Sequence, residues 1–159
     1  EFGDEDIVFE RFDLTALVRG VLQSMEILAQ QEEISVIFRN EESVYVWADE
    51  FKVEQVVRNY VSNAFHHAGR EKVVEVKIKT QEGKARVTVF NTGTPIADAD
   101  IRHIWEKFYK VDKARTRAYG GSGIGLSIVK AIIDSHHKEC GVQNLEDGVA
   151  FWFTVDSKV

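Results

Sequence analysis

Tyr119-Gly120-Gly121-Ser122-Gly123-Ile124-Gly125-Leu126 runs without a break into Ser127-Ile128-Val129-Lys130-Ala131-Ile132-Ile133, so four glycines stand at the mouth of an expected helix. Glycine has no Cβ, so it takes left-handed or strained conformations and lets a ligand approach the main chain. The first turn of a helix adds unpaired N–H groups and the positive end of a dipole. That combination suits a polyphosphate. A flexible loop ahead of a core helix would carry the same glycines, so the decision lies in the rest of the chain.

Upstream, Asp49 is placed to cap a helix carrying Phe51, Val53, Val56, Val57, Tyr60, Val61, Ala64 and Phe65 at helical spacing. Asn59 and Asn63 lie four apart and share one face of it. Asparagine is a mediocre helix former, and a pair in an apolar sequence needs partners for its amides. Core-edge backbone could supply them. The alternative is a neutral oxygen donor set for Mg²⁺ and phosphate, where carboxylates would repel a polyanion. His66 and His67 are adjacent and share no face, so they cannot chelate one ion; one or both are expected toward solvent or a nearby ligand. His136 and His137 fall at a helix end, and His103 has no evident partner.

Val73–Thr80 and Lys84–Phe90 alternate in character around Gln81-Glu82-Gly83, which predicts an antiparallel hairpin. Its second strand runs into Asn91-Thr92-Gly93-Thr94-Pro95-Ile96. A polar side chain at the end of a buried strand before glycine can hold a ligand group at a sheet edge, and it also makes an ordinary turn. From Pro95 to Gly121 the chain has only a short expected helix, Asp100–Glu106, and then a basic stretch. A connection that long usually covers something. Lys110, Lys113, Arg115 and Arg117 are candidates to meet phosphate, and Phe108 and Tyr109 to anchor the segment.

At the amino-terminal side, Ile7–Phe12 reads as extended, and Asp13 as the cap of one helix carrying Leu14 through Leu28. Ile34–Phe38 and Ser43–Ala48 read as strands joined by an Arg39–Glu42 turn. Beyond the glycine-rich helix, which should reach about His137, Lys138–Asn144 and Val149–Val155 form a last hairpin around Glu146-Asp147-Gly148. Three principal helices then face one mixed, mostly antiparallel sheet, an α+β two-layer α/β sandwich.

Composition sets the limits. At 159 residues with 44% hydrophobic content the chain holds one full core, and a net charge of -6 with scattered basic residues disfavours nucleic-acid binding. Cys140 is the single cysteine, which excludes an internal disulfide and a cysteine-rich metal site. Glu1-Phe2-Gly3-Asp4-Glu5 has neither region of a signal peptide, and its abrupt acidic start is that of a piece of a longer protein.

With the asparagine helix, the Asn-Thr-Gly turn and the glycine-rich helix start in order, the chain resembles the catalytic and ATP-binding domain of a bacterial sensor histidine kinase. That superfamily is shared with the ATPase domains of gyrase, Hsp90 and MutL and has the Bergerat ATP-binding fold. The likeness runs from about Phe12 to Val155. Asn59-Tyr60-Val61-Ser62-Asn63-Ala64 is similar to the N box, which implies Asn63 as the Mg²⁺ ligand with Asn59 beside it. His66 and His67 stand where the family commonly has lysine and tyrosine, so an imidazole takes the place of a fixed positive charge there.

Asn91-Thr92-Gly93-Thr94-Pro95-Ile96 resembles the G1 box, with Asn91 in place of the aspartate that accepts from the adenine amino group and Pro95 in place of a glycine. The amide oxygen can still accept that bond if its NH₂ points elsewhere. The same Asn-Thr-Gly form is similar to that of a subset of Gram-positive sensor kinases resembling those that respond to cell-wall antibiotics, so the resemblance implies a variant of the box. Glu106–Asp112 is similar to the F box, which places Lys110 toward the γ-phosphate, and Gly121–Leu126 matches the G2 box.

The resemblance thus implies an ATP site made of Asn59, Asn63, His66, His67, Asn91, Gly93 and Ile96. Phe108, Lys110 and Arg115 would join it from an ATP lid at about residues 95–121, and Gly121, Ser122, Gly123, Ile124, Gly125 and Leu126 from the glycine stretch. Asn63 would hold Mg²⁺, and Lys110 and Asn59 would carry the catalytic roles. Residues 1–159 would form one catalytic and ATP-binding domain. The acceptor histidine, the dimerisation domain, the sensor domain and the cognate response regulator would lie elsewhere, and the full protein would be a membrane-anchored homodimer with this domain in the cytoplasm. Two other readings share the residues: an anti-sigma-factor-like serine kinase, and a degenerate interaction module that binds no ATP.

Overall fold

Asp13 ends one strand and begins the first helix. In the computed structural model, which describes residues 7–107 and 125–158, β1 is Glu10–Asp13 and α1 is Leu14–Ser24. The Asp13 carboxylate accepts the Ala16 N–H at 3.2 Å and the Ser43 hydroxyl at 2.6 Å, so one side chain caps the helix and ties it to a distant loop. Leu14, Thr15, Val18 and Val21 make the buried stripe.

The single helix expected over Leu14 to Leu28 is two helices. The chain breaks at Met25 and α2 runs over Glu26–Gln31. Ser24 bonds back to the Val21 carbonyl at 2.7 Å, and the Met25 N–H is shared between the Leu22 and Gln23 carbonyls, which tightens the last turn. The break leaves Ala29 as the inward residue of α2, and Ile27 and Leu28 are exposed rather than part of the stripe.

β2 (Ser35–Phe38) and β3 (Tyr45–Ala48) do not form a hairpin. β4 is Val73–Gln81, β5 Lys84–Thr92, β6 Cys140–Leu145 and β7 Gly148–Ser157, and the sheet runs β1-β3-β7-β5-β4-β2 with β6 paired to β7. β2 and β3 therefore lie far apart, and β2 is parallel to β4. Residues 39–44 form a crossover, because polar side chains there bind other parts of the fold. The Asn40 carboxamide pairs with both main-chain groups of Ile78 at 3.0 Å, while Leu14 donates to the Val44 carbonyl and Thr15 to that of Glu42. The expected turn between β4 and β5 is present. Glu82 and Gly83 both have positive φ, 54° and 79°, the backbone of a two-residue hairpin turn that matches strand twist.

α3 spans Glu50–His67, capped by Asp49, whose side chain accepts the Lys52 N–H at 3.1 Å. Its buried residues Val53, Val56, Val57, Tyr60, Val61 and Ala64 follow the i, i+3, i+4 spacing and face one side of the sheet. α4 is a short turn, Asp98–Ile101, earlier and shorter than the expected Asp100–Glu106 helix, because His103 and Glu106 close successive turns instead. α5 is Gly125–Ser135 and buries Val129, Ile132 and Ile133 against α3 and the sheet. Helices α1, α3 and α5 thus form one layer on one mixed, mostly antiparallel sheet, as expected. Each fully buried valine, leucine or isoleucine of this interface stabilises the fold by about 1.5–3 kcal/mol.

Candidate functional site

Three connections meet at one end of the sheet: the loop after α3, the loop after β5 and the turn between β6 and β7. Asn91 lies where they converge. It is 1% exposed, and its register partners are Val74 on β4 and Val149 on β7. Its Nδ2 donates to the His67 carbonyl at 3.1 Å and to the Thr92 carbonyl at 2.9 Å. Two carbonyl acceptors fix which end of the amide is nitrogen. Oδ1 is then a buried acceptor with no hydrogen-bond partner among the described residues. Such an atom costs about 1–3 kcal/mol unless a ligand or water satisfies it.

Neighbouring residues hold this geometry. The Thr92 hydroxyl donates to the Ala68 carbonyl at 2.8 Å and accepts the Val73 N–H at 3.1 Å, which joins β5 to the loop after α3. Gly69 and Gly93, with φ of +68° and +142°, face each other so closely that a Cβ on Gly69 would sit 2.8 Å from Cα of Gly93. A Cβ on Gly93 would sit 2.5 Å from the His67 carbonyl oxygen. Only glycine lets both loops approach as they do. The Gly93 N–H donates to the Asp147 carbonyl at 3.0 Å, and Ile96, buried, exchanges two hydrogen bonds with the Asn144 carboxamide at 2.9 and 2.8 Å.

The helices supply the second part. Asn59 and Asn63 are both half-buried on α3, and Asn59 Nδ2 points to the Gly125 carbonyl at 3.4 Å, a long bond that joins the asparagine helix to the first turn of α5. A Cβ at Gly125 would meet no atom within 4 Å among the described residues. At the far ends of the same helices, His136 Nε2 accepts the Asp49 N–H at 3.1 Å and Nδ1 lies 2.9 Å from the Ile132 carbonyl. The two contacts run α3 and α5 antiparallel. They also fix the neutral imidazole with its proton on Nδ1, since one nitrogen must accept and the other donate. Burial pushes the His136 pKa down, with the positive Lys138 and Lys52 acting in the same direction and the Ile132 carbonyl and Asp49 opposing it.

The two adjacent histidines part company. His66 is exposed, in line with the expectation that one or both face outward, whereas His67 is buried and contributes its main-chain carbonyl to Asn91. His67 is turned inward because it continues the Tyr60–Ala64 side of α3. His103 pairs with Glu106 at 2.8 Å. Cys140 is half-buried beside Tyr60, and burial pushes its thiol up to about 11, which makes it inert at neutral pH.

Asn59, Asn63, Asn91, Gly93, Ile96, Gly125 and Leu126 are therefore placed by the structure at or beside these loops and helix ends. Phe108, Lys110, Arg115, Gly121, Ser122, Gly123 and Ile124, and with them most of the expected lid, lie outside the described residues. No part in the site was read from the sequence for Gly69, Thr92, Asn144, Asp147 or Gly148, although Thr92, Asp147 and Gly148 were read as turn residues. Gly69 had a signal of its own, a glycine directly after the last helical residues. The others act through main-chain bonds between segments distant in sequence.

The site fits a neutral base bearing an exocyclic amino group. Asn91 offers a buried acceptor on an amide whose hydrogens are already engaged, beside a glycine that lets two loops close together. Among the described residues no three His, Cys, Asp or Glu side chains gather as a metal cage. No helix among the described residues is long and apolar enough to cross a membrane.

Comparison with known proteins agrees with this geometry. A family model described as histidine kinase-, DNA gyrase B-, and HSP90-like ATPase matches residues 48–159. The phosphate regulon sensor protein PhoR of Haemophilus influenzae is 27% identical over 98% of this chain and 36% of its own length. The sensor protein kinase WalK of Staphylococcus haemolyticus is 31% identical over 98% of this chain and 26% of its own. The chain thus spans about a third or less of the curated relatives it matches. The solved catalytic domain of histidine kinase ThkA superposes with a TM-score of 0.83 at 31% identity, covering 94% of this chain and 95% of that one. ThkA in complex with the response regulator protein TrrA gives a TM-score of 0.79 at 30% identity, covering 96% and 42%.

Proposed function

The chain belongs to the family of histidine kinase-, DNA gyrase B- and HSP90-like ATPases, and from that premise we propose that it is the ATP-binding catalytic domain of a sensor histidine kinase. In this reading it donates the γ-phosphoryl group of ATP to a histidine on a separate dimerisation domain, for relay to a response regulator. The observation that carries the reading is the buried, unengaged Oδ1 of Asn91. In this reading it accepts from the adenine amino group, and the bonds from Nδ2 to His67 and Thr92, which keep the amide from turning round, support that role. ATP bound here supplies the transferable phosphoryl group together with Mg²⁺.

The residues of the chain orient and neutralise. Asn63 offers its amide oxygen to the ion, Asn59 lines the junction with α5, and Lys110 brings positive charge to the terminal phosphate. Asn59 also limits the chemistry. An amide cannot take a proton from water, so steady hydrolysis is negligible and the nucleotide is kept for a protein acceptor. The full protein is a membrane-anchored homodimer with this domain, residues 1–159 with a lid at about 95–121, on the cytoplasmic side. The Asn91-Thr92-Gly93 form is the sole support for placing it near the Gram-positive antibiotic-responsive kinases.

Calorimetric titration with ATP and Mg²⁺ tests the reading, followed by incubation with labelled ATP with and without the separately expressed dimerisation domain. Binding, and labelling that appears only when the acceptor domain is added, are expected. Absence of binding would instead favour an interaction module, and stable self-labelling would place the acceptor within this chain.

A further inference from the structure

The loop from Asn91 to Ile96 is an arch with its feet in different places. Asn91, Val149 and Asn144 stand in one row across β5, β7 and β6. The chain leaves that row at Asn91, is tied at Gly93 to the Asp147 carbonyl, and comes down at Ile96 onto the side chain of Asn144. The loop has left the sheet by then, so no strand can supply a ladder. A carboxamide carries the same donor and acceptor as a peptide group, and Asn144 spends both on one residue. Ile96 is held with its side chain 6% exposed.

We propose that Asn144 is a positioning residue for base recognition: bonded twice to the main chain of Ile96, it holds the Asn91–Ile96 arch in the shape that receives an adenine ring. The inference rests on the nucleotide reading above. Removing the carboxamide strands the N–H and C=O of Ile96, and the loop must shift to rehydrate them, carrying Ile96 and Gly93 with it. Strand β6 thereby takes part in nucleotide binding without touching the nucleotide.

The test is calorimetric titration of this chain with ATP and Mg²⁺, comparing wild type, Asn144→Ala and Asn144→Asp, with the melting temperature and circular dichroism of each. Asn144→Ala should bind ATP roughly tenfold more weakly while keeping its secondary structure. Asn144→Asp should be similarly weak at about pH 8, where a carboxylate faces the Ile96 carbonyl. Relative to wild type at the same pH it should recover as the pH is lowered to about 4 and below, where the protonated acid restores the donor. Variants with wild-type affinity and only a lower melting temperature would reduce Asn144 to a structural tie and overturn the proposal. Should Asn144→Ala not fold, the pH series of Asn144→Asp decides alone. Wild type that binds no ATP overturns the nucleotide reading itself, and this inference with it.

Discussion

The carboxamide of Asn91 donates to the main-chain carbonyl of His67 at 3.1 Å, and this one bond ties the end of β5 to the end of α3. It also decides which atom of Asn91 is left for a ligand. A side chain that reads as a variant of a family aspartate is, in this fold, an amide whose hydrogens are needed.

Asn91→Asp should therefore lose stability rather than restore a stronger site. It would set a carboxylate against the carbonyls of His67 and Thr92 in a pocket 1% exposed. The expected cost is about 2 kcal/mol or more at neutral pH. Since the buried acid is held neutral, its pKa rises in the folded state and the lost stability returns as pH falls through that raised value. Urea denaturation at two pH values measures both effects.

Gly148→Ala should disturb the same region from the opposite side. A Cβ at Gly148 would lie 2.0 Å from the Asn91 carbonyl oxygen, a main-chain atom that cannot rotate away. A destabilisation of about 3 kcal/mol is expected in thermal or chemical unfolding. Gly20→Ala, where a Cβ meets nothing within 4 Å among the described residues, is the control for the substitution itself and should stabilise α1 by about 0.5–1 kcal/mol.

Acid should weaken the fold through His136. Its folded pKa lies below the ordinary 6.5 because it is buried. The stability it contributes is fully present above the unfolded value and is lost as pH falls from there through the folded value, with a slope of up to about 1.4 kcal/mol per pH unit. His136→Gln keeps a donor and an acceptor but cannot titrate. It should show a lower melting temperature near neutrality and a flatter decline in acid, read from melting curves across that range.

Asn63→Ala should separate metal from base. If the Asn63 amide oxygen holds Mg²⁺, the variant loses at least about tenfold in affinity for ATP with Mg²⁺ while binding adenosine as wild type does. Asn91→Ala should weaken both ligands. Equal loss of ATP and adenosine on Asn63→Ala would remove that residue from the metal role.

The order of helices and strands was legible because it depends on local rules. Asp49 before an apolar stripe marks α3, and Glu82-Gly83 between alternating runs marks the β4–β5 hairpin; both signals act within a few residues. The asparagine pair on α3 and the turn at Asn91 were legible for the same reason. Pairing over distance was not. Nothing in Arg39–Glu42 shows that β2 crosses to the side of β4, because that choice rests on Asn40 meeting Ile78. The break at Met25 depends on whether Ala29 or Ile27 finds a core to fill.

By itself, then, the sequence determined that this chain forms a two-layer fold with amide and glycine groups suited to a polyphosphate, since periodicity, capping and glycine chemistry are properties of short segments. Only the tertiary structure decided that Asn91 would have its hydrogens engaged and its oxygen without a partner among the described residues, that His67 would turn inward, and that Asn144 would hold Ile96. Those outcomes depend on which main-chain carbonyls and N–H groups from remote segments lie within about 3 Å, and only the closed fold brings them that close.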